Sequence, residues 1–193
     1  MSIERSLALS RRQGLTMIEL IVFVVIVSIA LVAILRVLNV TAQHSADPMI
    51  NKQLQAIAEA YLEEISSMPF TYCDPEDANV ATATSVSGCA TLPEVMGPET
   101  VNGQVETRGG TPPFNNVNDY AGYASIPASD ASGTHNYIGY NVNVAISNDA
   151  NLGPSGLQVP SAAVLHIAVV VTSGSNRLTL EGYRTRYAPN AVQ

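Results

Sequence analysis

Apolar side chains run almost unbroken over residues 15–35, interrupted only by Thr16, Glu19 and Ser28. About 20 residues of α-helix rise 30 Å, the thickness of a bilayer's hydrocarbon core, so the run predicts a membrane-crossing helix. Past Arg36 the pattern weakens. Residues 37–45 are compatible with helix, but Asn39, Val40 and Thr41 favour it poorly. Asp47-Pro48 reads either as the cap and first residue of a restarted helix or as a kink in a continuous one, and the kinked continuous helix is the expectation. From there the periodicity is clear. Ile50, Leu54, Ile57, Ala58, Tyr61, Ile65 and Met68 recur at three- and four-residue steps and form one stripe. Lys52, Glu59, Glu63 and Glu64 lie away from its centre, and the pair Glu63-Glu64 reads as the wet face of the helix. Pro69 disfavours a helical residue before it and lacks the donor to continue, so the helical segment is expected over 15–68.

Residues 70–134 are rich in Gly, Pro, Asn, Asp, Ser and Thr, which argues against helix. Residues 101–107 form a short strand candidate with a turn at Asn102-Gly103, while 109–113 and 115–118 read as exposed connection. A loop of this length in a compact domain is uncommon and is often functional. Order then returns. Ile138, Tyr140, Val142, Val144 and Ile146 alternate with Gly139, Asn141, Asn143 and Ala145, the period-two signature of a sheet with one dry face. Residues 162–171 are more continuously apolar and predict a central strand, turned at Ser173-Gly174-Ser175-Asn176 into a partner over 177–187. The fold class is therefore α/β, a long helix whose apolar stripe covers an antiparallel sheet over about 136–187 within a head of 69–193.

Glu19 is the anomaly in this pattern. A charge near hydrocarbon is costly, and ionisable groups inside membrane segments usually have a partner or a task. The preceding residues 1–14 carry Arg5, Arg11 and Arg12 against Glu4, so this end should stay on the cytoplasmic side. A conventional secretory leader fits badly, because no A-x-A-like site follows Leu35 and the small residue at the basic-to-apolar junction is Gly14.

Arg11-Arg12-Gln13-Gly14, followed by Leu15-Thr16-Met17-Ile18-Glu19-Leu20 and the apolar run, resembles the class III signal of type IV pilins and of the related pseudopilins of type II secretion. The resemblance implies that 1–14 is a leader, removed by a prepilin peptidase after Gly14, with methylation of the new amino terminus at Leu15, where phenylalanine is more usual. It also implies that Glu19, fifth in the mature chain, pairs with the terminal amine of a neighbouring subunit during assembly. Desolvated together, the two charges lose far less than either does alone. Further on, Ser45-Ala46-Asp47-Pro48, the helical stretch 58–65 and Met68-Pro69-Phe70-Thr71-Tyr72-Cys73-Asp74-Pro75 look like the MshD-type minor pilins of the mannose-sensitive haemagglutinin pilus and the PilV-like proteins. These motifs cover residues 11–75; the rest of the chain rests on general pilin architecture. The implied partners are other pilin subunits through helix packing, the prepilin peptidase, a pilus assembly platform and inner-membrane lipid. The implied location is the inner membrane, head on the periplasmic side, and then the filament or its tip.

Composition narrows the picture further. The formal charge of −7 becomes −9 once one glutamate and three arginines leave with the leader. An acidic, lysine-poor exterior with Arg36, Lys52, Arg108, Arg177, Arg184 and Arg186 scattered along it argues against nucleic acid. On the non-cytoplasmic side Cys73 and Cys89 are expected to form a disulfide. Pilins usually fasten a C-terminal loop this way, so a bridge just after the helix leaves the C-terminal region to be held by sheet pairing alone. Enzyme chemistry finds little support: His44, His135 and His166 are far apart, His166 reads as a core or rim residue, and no phosphate loop, nucleophile elbow or cofactor motif is present. Eight tyrosines against three phenylalanines and no tryptophan suit partly buried head surfaces, with a carbohydrate platform as the alternative use. The functional expectation is a minor structural pilus subunit; a minor pseudopilin and a tip adhesin are the alternatives.

Overall fold

The computed structural model of the chain describes Gly14 and residues 16–191, the side chains of 41–47 excepted. Helix α1 runs Met17–Ser67 and continues past Pro48 without a second start. Chain contacts divide the protein at Asp47 and Pro48 into two compact units.

In the first unit, Met17–Val40 forms 24 residues of helix with mean hydropathy 3.2 and no buried surface, long and apolar enough to cross a membrane. Its internal hydroxyl is already satisfied, since Ser28 Oγ donates to the Val24 carbonyl at 2.7 Å. Such a back-bond leaves no orphaned donor on a serine in an apolar helix.

The second unit is built on the amphipathic half of α1. Leu54, Ala58, Tyr61 and Ile65 are essentially inaccessible and Ile50 and Met68 are partly buried beside them, as the stripe predicts, and Leu62 joins them. Full burial of such side chains stabilises by about 1.5–3 kcal/mol each. Among the described residues eight strands follow: β1 Thr100–Val101, β2 Gln104–Val105, β3 Ala124–Ser125, β4 Ala128–Ser129, β5 Asn136–Tyr137, β6 Asn141–Asn148, β7 Val164–Ser173 and β8 Asn176–Thr185. The main sheet has the order β3-β6-β7-β8, all antiparallel, while β1-β2 and β4-β5 are separate hairpins. Asn102 and Gly103, both at positive φ, make the β1–β2 turn as expected.

Register aligns the dry face. Val142 faces Val171, Val144 faces Val169 and Ile146 faces Ile167 across β6 and β7, and β8 sets Leu178 and Leu180 opposite Val171 and Val169. Opposite Ile167 the row ends in Gly182, where a Cβ would lie 3.0 Å from Leu62 Cδ1 of the helix. Glycine leaves room there for the Leu62 side chain, which a larger residue would press on. β7 is the central strand, with one face buried and the other half-buried.

Three expectations change. Ile138 is not part of the alternating strand: it is 80% exposed in a turn closed by Tyr140 N–H to the Tyr137 carbonyl, with Gly139 at positive φ, and the strand starts at Asn141. Residues 115–118 are not an exposed connection; Asn116, Val117 and Asn118 are buried, together with Asp119 and Tyr120. Their polarity is used internally, because Asn116 and Asp119 cap the 3-10 turn Val117–Tyr120 reciprocally. The C-terminal region is not held by sheet pairing alone. The Arg186 guanidinium stacks on Phe70 and Tyr72, Arg184 donates to the Met68 carbonyl, and Asn190 donates to the carbonyls of Val80 and Ala83.

Candidate functional site

The described residues at the start of the helix are exposed. Gly14 is exposed, Thr16 closes the first turn through its carbonyl to Leu20 N–H, and Glu19 lies in that first turn. The Glu19 backbone N–H donates to Thr16 Oγ1 at 3.4 Å, yet its carboxylate has no partner among the described residues. Leu15, expected as the methylated terminus, lies outside the described residues, as does the basic leader before Gly14.

Cys73 and Cys89 are bridged, with Cα atoms 5.6 Å apart. The loop they close is fastened mainly to itself. Asp77 sits at its centre, buried, and accepts four backbone N–H groups, from Asn79 and Ala90 on Oδ1 and from Thr91 and Leu92 on Oδ2. Those donors, Ala90 and Thr91 first, hold its carboxyl well below the usual carboxylate range.

Glu64 was expected on the wet face and is not there. Its carboxylate takes a two-pronged contact from the Arg108 guanidinium, Nε and Nη2 each at 2.7 Å, with side-chain exposures of 14% and 3%. Tyr120 Oη donates to the same carboxylate at 2.7 Å. The guanidinium also lies 4.3 Å from the Tyr61 ring centre and donates to Ser129 Oγ at 2.9 Å. One arginine from the polar segment thus ties α1 to β4, and nothing in the spacing of Glu64 and Arg108 foretells it. Beside it opens a cavity of about 420 Å³, lined by Gln53, Ala56, Ala60, Tyr137 and Tyr140 among others. Glu63, by contrast, is exposed as expected.

The histidines sit in separate settings. His135 pairs with Asp130 at 2.9 Å on an exposed hairpin, and His166 is a rim residue on β7 against Tyr183 and Glu181; the His44 side chain lies outside the described residues.

A second polar cluster is buried within the segment 94–119. Glu94, Glu99, Glu106 and Asp119 are each under 9% exposed. Asn115 Nδ2 bridges Glu106 Oε1 and Asp74 Oδ2. Burial, then the charge of Asp119, pushes the Glu94 carboxyl up to about 8; burial, then Glu94, pushes Glu99 up to about 9. Glu106 rises to about 7 and Asp119 also rises, burial leading in both. Sequence spacing offered no sign of this group, because its members are 5 to 25 residues apart in a stretch whose composition reads as loop.

No family model, curated protein or solved structure matches the chain.

Proposed function

We propose that the chain is a minor structural subunit of a type IV pilus of the haemagglutinin kind, held in the inner membrane with its head on the periplasmic side and then taken into a filament or its tip. The observation that carries this reading is the first half of α1: a helix with no buried surface over Met17–Val40, bearing in its first turn one carboxylate, Glu19, that has no partner among the described residues. A simple anchor gains nothing from that carboxylate, whereas a helix that must register against its neighbours does. The pilin-like signal around Gly14 and Leu15, and the continuation of the same helix into the stripe that covers the sheet, support the same reading. Assembly then proceeds by packing of the apolar helices, with Glu19 set against the amine of Leu15 on another subunit. The head carries the surface chemistry.

Mass spectrometry of the protein from envelopes tests this. In cells with active prepilin peptidase the chain should begin at methylated Leu15 and be recovered in sheared surface filaments. An intact leader, or cleavage beyond Leu35, contradicts it. A minor pseudopilin would show the same processing and is distinguished by the secretion genes beside its own. The tyrosine-lined cavity beside Arg108 favours a tip adhesin as second reading, for which glycan binding by the protein is the discriminator.

A further inference from the structure

Within the buried acidic cluster, one carboxylate oxygen from each of Glu94, Glu99 and Asp119 lies within 4.8 Å of one from each of the others. The three residues are 6%, 8% and 0% exposed. Each carboxylate has one oxygen that is oriented and one that is left over. Glu94 Oε2 accepts from Asn118 Nδ2 at 2.9 Å, Glu99 Oε1 accepts from Val95 N–H at 2.8 Å, and Asp119 Oδ2 accepts from the N–H groups of Asn115 and Asn116 at 2.7 Å. With the carboxyls ionised, Glu94 Oε1, Glu99 Oε2 and Asp119 Oδ1 are buried and accept from nothing, and the same is true of the Asn118 amide oxygen; Glu99 and Asp119 lie within hydrogen-bond reach of each other, so a cation takes the place of a proton shared between them. Among the described residues no basic side chain forms a direct ion pair with any of them; Arg186 lines the same cleft as Glu94 and acts on it only through space.

Orphaned acceptors are rare in folded proteins, and this segment has six, these four with Glu106 Oε2 and the Asn115 amide oxygen; the three that converge ask for a single compensating group that supplies positive charge to several oxygens at once. We infer that Glu94, Glu99 and Asp119 form a divalent cation site in the head, with Asn118 beside it, and that the cation is calcium. The chemistry of the donor set selects it: all ligands are hard oxygens, with no imidazole or thiolate for zinc. Three protein carboxylates converging on one point suit calcium, because magnesium dehydrates reluctantly and is usually held by one or two carboxylates with several waters. Glu94 and Asn118 also line an open cleft of about 320 Å³, which provides the entry path and room for water ligands. The occupied site would pin the segment after the disulfide loop, at Glu94, to the 3-10 turn that carries Asp119. This inference stands apart from the pilus reading.

The test is calcium titration of the full chain in detergent by calorimetry, after chelator treatment, alongside Glu99→Gln and Glu94→Gln. Both variants keep the acceptor that orients the side chain and remove its charge. One site of micromolar to millimolar affinity is expected, weakened at least about tenfold in each variant and unchanged in Glu63→Gln, with magnesium binding more weakly. As a check that does not depend on the variants folding, 5 mM calcium should raise the melting temperature of the wild-type protein by about 2 °C or more, whatever its state of assembly. Absence of both binding and a melting shift at 10 mM calcium overturns the inference. So does an affinity in both variants equal to that of the wild type, and so does equal affinity for magnesium and calcium.

Discussion

Breaking the contact between Arg108 and Glu64 should unfasten the head from its helix, with a magnitude that depends on which partner is removed. With Glu64→Met, the guanidinium stays in a site where it is 3% exposed, facing only the Tyr61 hydroxyl and ring, Tyr123 and Ser129. Removing one member of a buried pair costs about 3–5 kcal/mol, because the other is left charged without compensation. Glu64→Met belongs near the upper end. Arg108→Met belongs near the lower end, since Glu64 is 14% exposed and keeps the Tyr120 hydroxyl. Replacing both by methionine removes both desolvation penalties together and should return stability to within about 1 kcal/mol of wild type. The coupling energy of the cycle is therefore several kcal/mol. For a unit of this size each kcal/mol moves the melting temperature by roughly 2–4 °C, so the single variants should melt about 10 °C lower. With no tryptophan present, near-ultraviolet circular dichroism of the tyrosines, several of which pack around this contact, follows the transition in the full chain in detergent. Single variants within about 1 kcal/mol of wild type, or a double variant at the sum of the two losses, would show that the pair does not fasten the head.

Other perturbations have equally definite outcomes. Reducing Cys73–Cys89 should cost about 3 kcal/mol through the freed loop and, because Asn190 holds the carbonyls of Val80 and Ala83, should raise hydrogen exchange in the C-terminal tail as well as the loop before β6, β7 and β8 respond; protection lost first in the strands would contradict this. Asp77 has a depressed carboxyl in the fold, so its contribution is present above the ordinary value near 4 and is lost as pH falls through the folded value. The amide resonances of Ala90, Thr91 and Leu92 should accordingly stay fixed down to about pH 4, move only below it, and be displaced at all pH values in Asp77→Ala. Gly182→Val should press on Leu62 and destabilise the head by about 1–3 kcal/mol, with Leu62→Ala in the same chain recovering part of the loss in a thermal melt.

The elements that periodicity governs were legible. The helix stripe from Ile50 to Ile65, the alternation at Val142, Val144 and Ile146, and the β7–β8 hairpin each repeat a hydrophobic pattern long enough to fix the face it buries. Segment 94–120 was not, because its order is polar. Asn116, Asn118 and Asp119 are buried through specific hydrogen bonds to backbone groups that a composition count reads as solvent-seeking. Glu64 was misplaced for a related reason: a helical wheel puts it off the stripe's centre, but Arg108, 44 residues later, brings it a counter-charge and converts a flank into an interior. Cys73 and Cys89 were legible as a pair, while the grip of Asn190 on the loop between them, and of Arg186 on Phe70 and Tyr72 just before it, was not, because these contacts join residues about 110 apart in sequence with no local signal.

Glu19 bears most directly on the pilus reading. Glu19→Ala removes a charge from a helix with no buried surface, so insertion in the membrane and release of the leader should be unaffected or improved. In a filament the same change leaves the amine of a neighbouring Leu15 without its partner. Even half of the 3–5 kcal/mol cost of breaking a buried pair is worth about a tenfold change in incorporation. Wild-type and Glu19→Ala chains, expressed together at equal level and counted by mass spectrometry in membranes and in sheared filaments, measure this ratio. About equal amounts in the membrane with about tenfold depletion of Glu19→Ala in filaments is the expected result, and equal proportions in the filaments would contradict an assembly role for Glu19.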